Sequence, residues 1–140
     1  MNRNLIRVLT IGALLLLVSI PNIYAQSTVR ATVPFQFTVG KTEVPAGTYT
    51  INSVAPSVIA ITDRYTGRSV FTLVIHDRPG SNDGTPKLVF NKYGSSYFLS
   101  QVSRGSGSDV MQIPTSKLEK ELRIASARSA PEQKMIAASR

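Results

Sequence analysis

Between Thr28 and Val39 every second residue is apolar: Val29, Ala31, Val33, Phe35, Phe37 and Val39 alternate with Thr28, Arg30, Thr32, Pro34, Gln36 and Thr38. A period of two puts one set on each face of a strand, whereas on a helix it would scatter them around the axis. Pro34 lacks the N–H that a ladder needs, so the pattern predicts either one bent edge strand or two strands meeting at Pro34. Turn chemistry divides the next forty residues. Gly40–Glu43 and Val44-Pro45-Ala46-Gly47 precede a strand at Thr48–Val54, and Pro56 separates that from Val58–Thr62. Asp63–Gly67 reads as a hairpin loop with Gly at its end. Ser69–Ile75 is apolar almost throughout, the mark of a central strand, with Phe71 and the later Phe90 as core side chains.

Lys87–Tyr93 and Ser96–Val102 flank Gly94-Ser95, a two-residue connection with Gly first, which suits a type II′ hairpin turn. Ser103–Ser108 has the composition of a flexible linker, and Val110–Ile113 reads as a short strand. At Pro114 the period changes. Ser116 and Glu119 form a capping-box match, Leu118, Leu122 and Ala125 share one helical face, and Glu119 and Arg123 are spaced for an ion pair. These predict a helix from Ser116 to about Arg128, with Ser129–Arg140 a polar, frayed tail. The resulting fold class is all-β: a compact antiparallel β-sandwich or small barrel of about eight strands with one C-terminal α-helix. The β-domain spans 26–114, the helix 115–128 and the flexible tail 129–140.

Three stretches carry a resemblance. They are Thr32-Val33-Pro34-Phe35-Gln36-Phe37-Thr38-Val39-Gly40, then Val44-Pro45-Ala46-Gly47-Thr48-Tyr49-Thr50-Ile51, then Lys87-Leu88-Val89-Phe90 with Tyr93-Gly94 and Tyr97-Phe98-Leu99-Ser100. The chain resembles a group of small exported β-proteins of acidobacterial-type soil bacteria, over about Thr28 to Leu122. The resemblance implies an exported all-β domain. Since no activity is attached to that group, it transfers no catalytic residue.

The N-terminus follows a different logic. Arg3 and Arg7 precede the apolar run Val8–Ile20, centred on Leu14–Leu17. Pro21 and Asn22 end the run, and Ala25 stands before Gln26. This is the three-part pattern of a secretory signal peptide over residues 1–25, cleaved between Ala25 and Gln26. The run has thirteen residues, where a membrane span takes about 20. The expected location is therefore periplasmic or extracellular, with no transmembrane segment in the mature chain.

The 140 residues include no Cys, which excludes a disulfide scaffold, a Cys-ligated metal site, thiol catalysis and a Cys-linked lipid anchor. The formal charge of +8 is less informative than it looks. Two charges belong to the leader and three to residues 115–140, leaving +3 on the β-domain with no run of Lys or Arg. That distribution, with export, argues against nucleic acid as a partner. Lys92, Tyr93, Tyr97 and Arg104 are the candidates for a small-ligand or anionic-glycan site on the hairpin. His76 is the single His, and a hydrolase built on it would take Asp77 or Asp63 as orienter and one of many Ser as nucleophile. No Gly-x-Ser-x-Gly is present, and neighbours on a strand point to opposite faces, so this reading ranks last. Asp77–Gly84 fails as a calcium loop, with Pro79 where a ligand belongs and no Glu twelve residues on. No catalytic residue, metal or cofactor is expected.

The leading expectation is a non-enzymatic exported domain with a binding or structural role in the cell envelope, an accessory subunit being one form of that role. Its partner, an envelope protein or an anionic glycan, would meet the Thr28–Val39 edge by strand addition or the hairpin residues.

Overall fold

A computed structural model describes residues 28–77, 84–105, 110–126 and 130–140. Residues 1–27, which hold the expected leader and its expected Ala25–Gln26 junction, most of the 77–84 loop and part of the expected 103–108 linker lie outside the described residues. Among the described residues the fold is all-β with a single helix, as the pattern predicts. Eleven strands are described: β1 (Val29–Val33), β2 (Phe37–Val39), β3 (Thr42–Val44), β4 (Gly47–Ala55), β5 (Val58–Asp63), β6 (Ser69–Leu73), β7 (Ile75–Asp77), β8 (Pro86–Tyr93), β9 (Ser96–Arg104), β10 (Val110–Gln112) and β11 (Glu132–Ala137). The helix, α1, spans Lys117–Ala125.

The smaller sheet has the order β1-β4-β5-β6, all antiparallel. The larger has the order β11-β8-β9-β10-β7, extended by β2, which meets β9 in parallel at Thr38↔Phe98 and pairs with β3. The chain moves between sheets three times: between β1 and β2, between β3 and β4 at Pro45-Ala46, and between β6 and β7. The first and last of these divide runs that are continuous in the sequence. Pro34 marks the first: the twelve-residue alternation breaks there into β1 and β2, which serve different sheets. Val74 marks the last. Its N–H bonds the Ser57 carbonyl at 2.9 Å, and the apolar run Ser69–Ile75 divides around it into β6 and β7. The hairpin turn of β8 and β9 is as expected, with Gly94 at φ +60° and no non-Gly residue at positive φ among those described, so Ser95 keeps the negative φ of a type II′ turn.

The core lies between the sheets. Val29, Val33, Ile51, Ile59 and Ile61 face Leu88, Phe90, Leu99 and Val102. Phe90 sits in the middle, with Phe35 and Phe37 edge-on at 5.2 and 5.3 Å between ring centres. Tyr49 meets Phe37 at 5.5 Å, and Tyr97 stacks on Phe35 at 4.0 Å.

Two sequence expectations about these elements are corrected by the structure. The apolar run does not make a central strand: β6 is the edge of the smaller sheet, and Phe71 is 63% exposed. Val70 and Thr72 turn toward the interior, so Phe71 and Leu73 must face outward by the period of two. The second correction concerns residues 129–140, expected as a tail. Glu132–Ala137 pairs along β8 from Lys92 to Lys87, and Ser139 exchanges two 2.8 Å hydrogen bonds with Arg30 of β1. The open edge of β8 recruits this segment, although its own sequence has little strand character.

Which face α1 presents to the sheets is not given by the sequence. Ser116 caps the helix as the capping box predicts, its hydroxyl accepting from the Glu119 N–H at 3.1 Å. The apolar stripe does not dock, however: Leu118 is half exposed and Ala125 exposed, while Glu119 is buried. Among the described residues no helix is long and apolar enough to cross a membrane.

Candidate functional site

Three places combine accessible surface with functional groups. The first is a seam where the two sheets do not pair. It lies between β3 and the β5–β6 hairpin and holds a cleft of about 400 Å³, a volume typical of small-ligand sites. Val44, Ile61 and Val70 give it an apolar floor, with Glu43, Asp63 and Arg68 at its polar positions. Its walls are already engaged with one another. The Tyr49 hydroxyl donates to the Pro45 carbonyl at 2.6 Å. Asp63 Oδ1 accepts from the backbone N–H of Tyr65 and Thr66 at 2.7 and 3.1 Å, which organises the loop. Those bonds, Thr66 first, hold the Asp63 carboxyl below the usual carboxylate range. A carboxylate so occupied is a structural acceptor and a poor base.

The second place is the β8–β9 hairpin, home of the residues singled out from the sequence. The structure does not bring all four to one surface. Lys92 and Tyr93 do line a common cavity of about 270 Å³, with Gly94, Ser126, Pro131 and Glu132. Lys92 Nζ bonds Glu132 Oε2 at 3.0 Å, and that carboxylate keeps Lys92 protonated above the usual lysine range. Tyr97 lies opposite Lys92, with Nζ 6.0 Å from its ring centre, but its face is stacked on Phe35. Arg104 is at the far end of β9, opposite Pro86, buried and donating to the Ser53 hydroxyl. Seven residues of strand, about 23 Å, separate it from Tyr97. Correcting the sequence reading, Arg104 links the two sheets and is not part of a hairpin patch.

Beneath α1, Tyr93 belongs to a polar cluster that the sequence does not reveal. Glu119 Oε1 accepts from Asn91 Nδ2 at 2.8 Å and from the Tyr93 hydroxyl at 3.3 Å. The capping-box spacing suggests a solvent-facing partner for Arg123; only the polar Asn91 and Tyr93 on β8, facing away from the main core, hint that the helix needs a carboxylate on its inner side. Replacing Glu119 by Ala leaves a half-buried amide and a buried hydroxyl without this acceptor and is expected to cost about 1–3 kcal/mol, with Glu119→Gln costing less. Equilibrium urea unfolding measures this, and equal midpoints for wild type and Glu119→Ala would show that the cluster carries no stability.

Burial, and secondarily the charge of Asp63 for Tyr49 and of Glu119 for Tyr93, raises the pKa of both phenols. A folded pKa above the unfolded value gives stability that is complete below about pH 10 and is lost as pH rises through the folded values. Alkaline titration followed by phenolate absorbance is therefore expected to show two late tyrosines whose ionisation coincides with unfolding. Uniform titration of every tyrosine at the free-phenol value would contradict it.

His76 stands apart from both places. It pairs with Met111 across β7 and β10, and its Nε2–H donates to the Pro56 carbonyl at 2.6 Å. Among the described residues, no three His, Asp or Glu side chains converge as metal ligands would.

The third place is the edge of β6. Phe71 and Leu73, each 63% exposed, project from its outer face, with Val54 and Ile75 exposed nearby. Among the described residues no strand pairs with the far side of β6. The edge expected to be open, β1, is instead bridged at Arg30 by Ser139, and β2 is buried and paired on both sides. The chain matches no family model, no curated protein and no solved structure.

Proposed function

We propose that the protein is an exported, non-enzymatic binding domain of the cell envelope, and that its partner adds a strand to β6. The observation that carries this is the unpaired edge of β6 with Phe71 and Leu73 outward. A flat apolar edge invites association and is normally blunted by charge, proline or a covering segment, so one left open fits a docking site. Export rests on the leader pattern in residues 1–25.

The test places a photo-crosslinking amino acid at Phe71 in cells exporting the chain, with Thr32 on β1 as control. The expected result is an adduct of higher mass in the envelope fraction from position 71 and none from position 32. Equal labelling at both positions, or no adduct at 71, overturns the reading.

A further inference from the structure

We infer that the cleft between β3 and the β5–β6 hairpin binds a small organic cation, an ammonium group carried on an alkyl body. Glu43 is the group that selects a cation. The chain holds 16 Lys and Arg against 8 Asp and Glu, so its carboxylates are outnumbered and readily find partners. Glu119 accepts from Asn91 and Tyr93, Glu132 meets Lys92, Glu121 lies 3.9 Å from Lys117, and Asp63 accepts from its own loop. Among the described side chains Glu43 is the one carboxylate with no hydrogen bond or ion pair, and it lines the cleft.

The other charges of the cleft leave that one uncompensated. Asp63 and Arg68 stand together on the hairpin wall, across from β3. Backbone bonds from Thr66 and Tyr65 hold Asp63 ionised, and the charge of Arg68 adds to them, so the carboxylate and the guanidinium offset each other. With Glu43 included, the cleft is net negative in a chain of +8. A cation neutralises it, whereas an anion meets Glu43 as a like charge. The Tyr49 hydroxyl donates to the Pro45 carbonyl at 2.6 Å, so its proton is not offered to an anion either.

The floor selects the body of the ligand. Val44 and Ile61 are buried, Val70 is half-buried against the same core, and none of the three has a polar side-chain atom. Water over such a floor finds few partners, and an alkyl chain replaces it with apolar contact. The volume of about 400 Å³ takes a small molecule whole, head and body together. The site uses the inward Val70 of β6 and not the outward Phe71 and Leu73, so it is separate from strand addition at that edge.

Hexylamine, hexanol and hexanoate share one alkyl chain and differ in charge, and amide NMR titration with each at neutral pH tests this. The sample is the protein isolated from cells expressing the whole chain. Hexylamine is expected to shift the amides of β3 and of the β5–β6 hairpin and to bind about three- to fivefold tighter than hexanol, with hexanoate weakest. Raised salt should narrow the margin of the amine and leave hexanol unchanged. Glu43→Gln should bring hexylamine to the affinity of hexanol. Arg68→Gln removes the only cation of the cleft and should tighten hexylamine by about twofold. Both side chains are exposed, so unchanged melting temperatures confirm that the variants fold. Tighter binding of hexanoate than of hexylamine, an amine preference that survives Glu43→Gln, or no shift at these strands with any probe overturns the inference.

Discussion

Phe90→Ala is expected to destabilise the protein by about 3–5 kcal/mol, the range for emptying a well-packed aromatic site. Phe90 is fully buried and its ring lies at the centre of a chain of aromatic contacts, with Phe35 and Phe37 against it, Tyr97 stacked beyond Phe35 and Tyr49 beyond Phe37. Removing it withdraws the partner from two rings at once and leaves space between sheets that cannot close, because their strands are tied by ladders. Phe90→Leu retains most of the volume and should cost much less. Urea unfolding with an unchanged slope would show that the effect is on the native state. A loss below about 1 kcal/mol would mean that the rings around Phe90 collapse into its place. Because Phe37 touches the same ring, the Phe37→Ala and Phe90→Ala costs should not add.

Ending the chain at Ala130 should have the other large effect. It removes six pairs along β8 and both hydrogen bonds between Arg30 and Ser139. It also uncovers the core side of the half-buried Ile136 and Ala138 positions. β8 becomes an edge with Leu88, Val89 and Phe90 in sequence along it. The expected result is a melting temperature lower by about 10 °C or more, with concentration-dependent aggregation. Circular dichroism and light scattering on the shortened chain measure both. A shortened chain that melts with the whole one and stays soluble would show that β11 is an accessory to a fold complete without it.

The contrast between Phe90 and β11 shows what the sequence makes legible. Phe90 is readable as core because it sits in a run of apolar residues next to a tight Gly94-Ser95 turn. The β1–β2 segment is readable for a similar reason, with burial on alternate positions and a proline marking the crossing between sheets. β11 is not readable. Five of its six residues are exposed and only Ile136 turns inward, so its side chains record no alternation; it exists because β8 has an edge to satisfy. β6 misleads in the opposite direction. Both its faces carry apolar side chains, which from the sequence resembles a strand covered on both sides, and only the sheet order reveals that one face and one edge are open.

The hairpin residues show the same division. Lys92 and Tyr97 are legible as neighbours across the hairpin, since a two-residue turn fixes the register. Arg104 is not part of their surface, because residues remote from the turn accumulate distance at every step, and a bulge at Val89/Phe90 alters the register as well. The Glu119 contacts are invisible in the sequence because they depend on the docking of α1 against a sheet made by a distant part of the chain.

The exchange between Arg30 and Ser139 joins the first described strand to a segment made much later in the chain. While the chain is being made, β8 waits for residues 132–137 and β1 for Ser139, so both edges stay open until this segment exists. Loss of the whole segment from Glu132 to Ser139 therefore reopens both seams together rather than trimming a surface. A copy lacking this segment presents two bare strands to proteases and chaperones, and a copy that has it hides them.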